Sequence, residues 1–353
     1  MKIKKKKALP KNFKELIEAG DISALKAVFD VCELDARGGY LKSTALSFFK
    51  IPDELTRWLV EQGADVNAVN QYQETALHEQ AASWCGNVEL LLELGAAIEA
   101  PDYQNETPLH HAAGSYQLKA VRALAAHGAN VNAGDDTGRT PLAKALAHCQ
   151  NTNIAHMAEI AAFLLDAGAT ITPEMLADVK RIGEQFEFHR ANFNQDELTE
   201  TDAGLARLYA LFHVASVPKR QMHDGVSPIT VNTTKWQDQH AELWDLLVPS
   251  QGAAQTVQGE AIRVSGRISH EILDNGGANW DADFRKMLNA LLRHLGSGTA
   301  LDEVQLREAA ELGARIRDGD GDDEELSRLS ELAVRWVLAN PKPMPVGSID
   351  YRR

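Results

Sequence analysis

Four threonines, Thr44, Thr75, Thr107 and Thr140, follow one another at intervals of 31, 32 and 33 residues. A recurring period of that length constrains the fold more than composition does. Each period is one supersecondary unit, too small to bury its apolar face except against its neighbours. Every threonine opens a short motif: Thr44-Ala45-Leu46-Ser47, Thr75-Ala76-Leu77-His78, Thr107-Pro108-Leu109-His110 and Thr140-Pro141-Leu142-Ala143. Every motif is answered downstream by a Gly-Ala step, at Gly63, Gly95, Gly128 and Gly168. Threonine is suited to cap a helix start, proline is tolerated in the first turn, and glycine supplies the left-handed residue that ends a helix. Between them, Ala112 and Ala113 permit close helix approach, and Val121 and Leu124 share one face of a second helix.

This signature resembles the ankyrin repeat, a turn followed by two antiparallel helices. The resemblance covers about residues 10–172, as about five repeats, and departs from pattern at Ser47 and Phe48-Phe49, where His-x-Ala-Ala is usual. Upstream, Ala19-Gly20-Asp21 with Leu25, Val28 and Phe29 reads as a first repeat, with Glu33-Leu34-Asp35-Ala36 in place of its exit turn. The resemblance implies that His78 and His110 brace the turns and that the array presents one face to a protein partner. The segment from Thr140 to Gly168 is seven residues longer than its counterpart from Thr107 to Gly128. Two readings stand for it, a partner-reading feature or a longer end cap.

Positions the repeat framework leaves free carry the binding expectation. They are Tyr72, Tyr103, Asp135 and Asp136 at the turn tips, with Glu79, Trp84, His111 and Tyr116 on or after the first helices. Tyr72 and Tyr103 are read as equivalent positions forming an aromatic row. Tyrosine and tryptophan are the residue types most enriched at binding hot spots.

The formal charge is −14, yet the first fourteen residues hold seven lysines and no acid, which leaves the remainder near −21. A body that acidic repels nucleic acid and anionic membranes and attracts basic partners. Residues 1–9 read as a disordered basic tail. Pro10, Lys11, Asn12 and Lys14 follow the lysines where a signal peptide needs an apolar run. Cys32, Cys85 and Cys149 are scattered and odd in number, which suits a reducing, cytoplasmic setting and no disulfide framework.

Residues 173–353 read as a mostly helical C-terminal domain, which makes the fold class mainly α. Helices are expected at Pro173 through Phe186, 202–212, 236–247, 253–274, 281–295, 302–316 and 323–338, with a short strand at Ile229-Thr230-Val231. The first of these helices is placed to cover the open edge of the last repeat. Glu260, Arg263, Arg267 and Glu271 fall on one helical stripe, read either as a solvated run of ion pairs or as a secondary polar site for an anion or partner. Asn275-Gly276-Gly277 lacks a dinucleotide-binding spacing and reads as a helix end. Asp318-Gly319-Asp320-Gly321-Asp322-Asp323 resembles the opening of a calcium loop, but Asp323 replaces the turn glycine and Leu329 the terminal glutamate. His189 and His223-Asp224 read as structural. No hydrolase, metalloprotease or nucleotide-binding motif is present, so neither a catalytic residue nor a cofactor nor a metal is expected.

The tract from Thr256 to Asp281 also resembles helical segments of uncharacterised bacterial proteins, without implying an activity. The sequence reading is therefore a cytoplasmic, bacterial interaction protein, in one version an inhibitor or immunity-type protein neutralising a basic partner. The alternative is an enzyme whose C-terminal domain is catalytic and whose repeats recruit substrate.

Overall fold

The computed structural model describes residues 4–352. Its contacts divide into two compact units: one runs through Phe186 and includes Asn194–Val217, and the other comprises Glu187–Phe193 and the chain from Pro218 onward.

The first unit opens with strand β1 (Lys6–Ala8), helices α1 (Phe13–Ala19) and α2 (Ile22–Val31), and strand β2 (Cys32–Arg37). β1 pairs with β2 in parallel, Lys6 opposite Cys32 and Ala8 opposite Arg37. This corrects the tail expectation: Lys6–Ala8 is ordered backbone, and Lys5 Nζ donates to the Phe29 carbonyl at 2.6 Å. The charged side chains project outward while the backbone is satisfied by the ladder, so a lysine run and a strand coexist. Met1–Ile3 lie outside the described residues.

The repeats follow as helix pairs. After a 3-10 turn at Ala45–Ser47 comes α3 (Asp53–Glu61), then α4 (Ala76–Ala81) with α5 (Val88–Glu93), α6 (Pro108–Gly114) with α7 (Leu118–Ala126), and α8 (Pro141–Ala147) with α9 (Ile154–Asp166). The second helix of each period stops at a glycine with φ between 89° and 99°, at Gly63, Gly95, Gly128 and Gly168. Where Ser47 and Phe48 depart from the motif, the first helix shrinks to the 3-10 turn. Gln80 Nε2 then donates to the carbonyls of Leu46 and Phe48, each at 3.1 Å, and Phe48 packs edge-on to Phe13 at 5.1 Å.

Past residue 172 the chain continues to build the first unit. In α10 (Pro173–His189), Met175, Val179, Ile182 and Phe186 are buried, and Arg181 donates to the carbonyls of Leu146 and Ala147 at the end of α8. α11 (Leu198–Phe212) packs on α9, where a Cβ on Gly204 would meet Ala155 Cα at 2.8 Å. The longer fifth repeat supplies the platform for that contact: Ile154, Met157 and Ala158 of α9 are buried, as are Thr201, Leu205 and Leu208 of α11.

The second unit contains α12 (Trp236–Leu247), α13 (Val257–Leu273), α14 (Ala282–Leu295), α15 (Glu303–Arg315) and α16 (Asp323–Ala339). One apolar core joins them, with α13 central and Trp336 fully buried, its indole N–H donating to the Ser297 carbonyl at 2.9 Å. The expected strand at Ile229–Val231 does not form. Ile229 is instead buried singly, its N–H on the Pro341 carbonyl at 2.7 Å. No helix among the described residues is long and apolar enough to cross a membrane.

Candidate functional site

The turns are built by one side chain each. Asn70, Asp102 and Asp135 occupy the same register, and each Oδ1 accepts two backbone N–H groups: from Tyr72 and Glu74, from Gln104 and Glu106, and from Thr137 and Arg139, at 2.8–3.1 Å. Asp135 Oδ1 is therefore engaged in its own turn, while Asp136 is exposed. The histidines brace neighbouring turns. In each, Nδ1 accepts the N–H of Thr75 or Thr107 at 3.1 Å, so Nε2 carries the proton and donates to the carbonyl of Glu106 or Arg139. Burial, with the nearby charge of His111, lowers the His78 pKa to about 4, so it stays neutral.

Tyr72 and Tyr103 do meet, but not as equivalent positions. Tyr72 stands two residues after its turn-forming Asn70, Tyr103 one residue after Asp102. Turns stack through a ladder displaced by one residue: Tyr103 N–H donates to the Tyr72 carbonyl at 3.1 Å, as Asp136 N–H does to Gln104 at 2.9 Å. That offset sets the rings 5.6 Å apart at 46°, with Tyr72 36 % and Tyr103 53 % exposed. Sequence reading missed Tyr40, 85 % exposed at the tip of the preceding turn. Its signal was available, since Tyr40 precedes Thr44 by four residues as Tyr103 precedes Thr107.

A second row runs along the first helices. Glu79, His111 and Lys144 each stand four residues after a motif threonine, and Ser43, Glu74 and Glu106 stand just before one. Ser43 Oγ donates to Glu79 Oε1 at 2.6 Å, and Lys144 pairs with Glu106. Burial pushes the Glu79 carboxyl up, against the hydrogen bonds from Ser43, Ser47 and Asn70. His111 turns toward its own repeat, its Nε2 3.0 Å from Asp102 Oδ2 and 3.5 Å from Glu106 Oε2. Burial favours the neutral Asp102 carboxyl, but the hydrogen bonds of His111 and of the Glu106 and Gln104 N–H groups outweigh it and bring its pKa to about 2.

Trp84 and Tyr116 share a register, nine residues after their threonines, and diverge in use. Trp84 is 77 % exposed, with Lys50 Nζ 5.6 Å over the ring. Tyr116 is half-buried with φ 58°, its hydroxyl donating to the Ala145 carbonyl at 3.3 Å. Burial pushes its phenol well above the usual range. Tyr116 thus bridges helices inside the stack and is not a free contact, which corrects the expectation.

Residues 80–175 match a family model described as ankyrin repeats, in three copies. This segment is an ankyrin array. Ankyrin repeats are a protein-interaction module, and the periods on its N-terminal side keep the same left-handed glycine, at Gly63. No curated protein matches the chain.

Outside the ankyrin match, the four-residue stripe on α13 is not a solvated run. Glu260 and Arg263 are fully buried, joined by Arg263 Nε to Glu260 Oε2 at 2.9 Å and Nη2 to Oε1 at 2.6 Å. Tyr351 donates to Glu260 Oε1 at 2.7 Å and the Ala254 N–H to Oε2 at 3.0 Å. Glu271, also buried, holds the helix exit by accepting from Asn275 Nδ2 and from the N–H and side chain of Asn279. Arg267 is half-buried; desolvation and the adjacent Arg263 charge lower its pKa. The stripe is therefore a structural brace at both ends and does not converge on one site. In the acidic loop, Asp322 Oδ1 caps α16 by accepting the Glu325 N–H at 2.8 Å.

Proposed function

We propose that the ankyrin array binds a basic protein partner on the face formed by its turns and first helices, acting as an inhibitor or immunity-type protein with no catalysis of its own. The observation that supports this most is the exposed Tyr72–Tyr103 ring pair on turns that also carry the acids Glu74 and Asp136. Aromatic rings supply contact area at low entropic cost, and the surrounding charge steers a cationic surface and selects its orientation. Trp84 extends the exposed aromatic surface beyond the turns. The net charge of −14 favours the same sign of partner.

The test begins with a stoichiometric basic protein recovered at low salt and continues with both components purified. Tyr72→Ala/Tyr103→Ala should weaken binding by about 2 kcal/mol or more, with an unchanged circular dichroism spectrum. Association should slow steeply as salt rises. A double variant that binds as the parent does, alongside an Arg267→Glu variant that does not bind, would move the interaction to the C-terminal unit.

A further inference from the structure

The row of contacts along the first helices has one open rung. In the rungs on either side, the residue four after a threonine reaches the residue before the preceding threonine directly: Glu79 meets Ser43, and Lys144 meets Glu106. Between His111 and Glu74 no direct hydrogen bond forms among the described residues. Yet Nε2 of His111, a carboxylate oxygen of Glu74 and one of Asp102 all lie within 4.8 Å of one another. These atoms come from the turn of one repeat, the turn of the next, and the helix that follows it.

We infer that His111, Asp102 and Glu74 form a divalent-cation site, best suited to zinc, on the binding face of the array. Zinc takes imidazole nitrogen and carboxylate oxygen at about 2.0–2.2 Å in tetrahedral geometry, which places ligand atoms about 3.3–3.6 Å apart. The imidazole–Asp102 separation of 3.0 Å already lies near that value. Glu74 supplies the third ligand atom, within 4.8 Å of the other two, and the fourth position is left to water or to a donor from outside the chain. Supporting groups are in place. Asp102 Oδ1 is fixed by two backbone N–H groups while Oδ2 faces His111, and Asn70 Nδ2 holds Glu74 Oε2 at 2.6 Å. Such outer groups orient ligands and sustain affinity. Glu106 is the nearest competitor, but Lys144 engages its Oε2. The framework does not demand a histidine at position 111, since its counterparts in the adjoining repeats are Glu79 and Lys144.

The experiment is zinc chloride titration of the chelator-stripped full chain by calorimetry, with cobalt(II) absorption as an independent report of coordination. One saturable site is expected, and His111→Ala and Glu74→Gln should each weaken it at least about tenfold and abolish the cobalt spectrum. Lys119→Ala, at an exposed position, should leave it in place. If His111→Ala fails to fold, Glu74→Gln decides, because its amide preserves size. An absence of saturable zinc binding in the parent chain, or unchanged affinity in folded Glu74→Gln, overturns the assignment. None of these readouts depends on the partner protein.

Discussion

The ankyrin array and the C-terminal unit handle polar groups by opposite strategies. In the array, side-chain links between periods run to residues about one repeat away: His78 to Glu106 spans 28 positions, His110 to Arg139 29 and Lys144 to Glu106 38. In the C-terminal unit, the links around α13 return from the far end of the chain. Gln258 donates to the carbonyls of Asn340 and Lys342, separations of 82 and 84, and Tyr351 reaches Glu260 across 91. Nearest-neighbour links make stability a sum over interfaces. Links that close a globule tie its elements into one cooperative transition. Damage to the array is therefore expected to stay local, whereas damage around Glu260 is expected to spread.

The sharpest contrast comes from Glu260→Ala, which removes the carboxylate that pairs with the buried Arg263 guanidinium. A loss of about 3–5 kcal/mol is expected, read as a lower urea midpoint and as lost amide protection across α13, α14 and α16 together. The triple variant Glu260→Leu/Arg263→Met/Tyr351→Phe should recover part of that loss, because the two buried charges and their desolvation cost go together, while the Ala254 N–H still loses its acceptor. The wild-type pair carries a pH signature. Burial alone would raise the Glu260 carboxyl, but the hydrogen bonds and charge of Arg263 outweigh it and hold it below the ordinary value. The stability it contributes is complete above the unfolded carboxyl pKa of about 4.3 and is lost as pH falls through the lower folded value. Glu260→Gln should flatten that acid slope, and an unchanged slope would remove the pair from the account.

An intermediate effect is expected in the array. His110→Ala strips the Thr107 N–H of its acceptor and takes one of two donors from the Arg139 carbonyl, which keeps the Asp135 N–H, at a cost of about 1–3 kcal/mol. Hydrogen exchange should show protection lost at the turns around Thr107 and Arg139, with the C-terminal core unaffected. Uniform loss across both units would break the comparison. The smallest effect belongs to Trp84→Ala, expected to change stability by less than about 0.5 kcal/mol, since the ring is mostly exposed. A thermal shift equal to that of His110→Ala would mean that Trp84 is a packing residue after all.

The sequence by itself determined the array. Its threonine caps, its histidine braces and its helix-ending glycines act within one period, so spacing alone reveals them. Most C-terminal helices were legible for the same reason: caps such as Asp281, Asp302 and Asp322 announce their own starts, whereas the helix expected from residue 253 begins only after the Thr256 cap. What the tertiary structure decided involves partners remote in sequence. An ion pair three residues apart on a helix reads identically in water and in a core, and only the arrival of Tyr351 and of the surrounding helices buries Glu260 with Arg263. The lysine run looks solvated because side-chain charge is visible in sequence, whereas its parallel pairing with Cys32–Arg37 is a backbone property. The Tyr72–Tyr103 contact and the His111, Asp102 and Glu74 cluster follow from how adjacent turns stack. A one-residue offset in hydrogen bonding between turns leaves no mark in the period, yet it chooses which side chains meet.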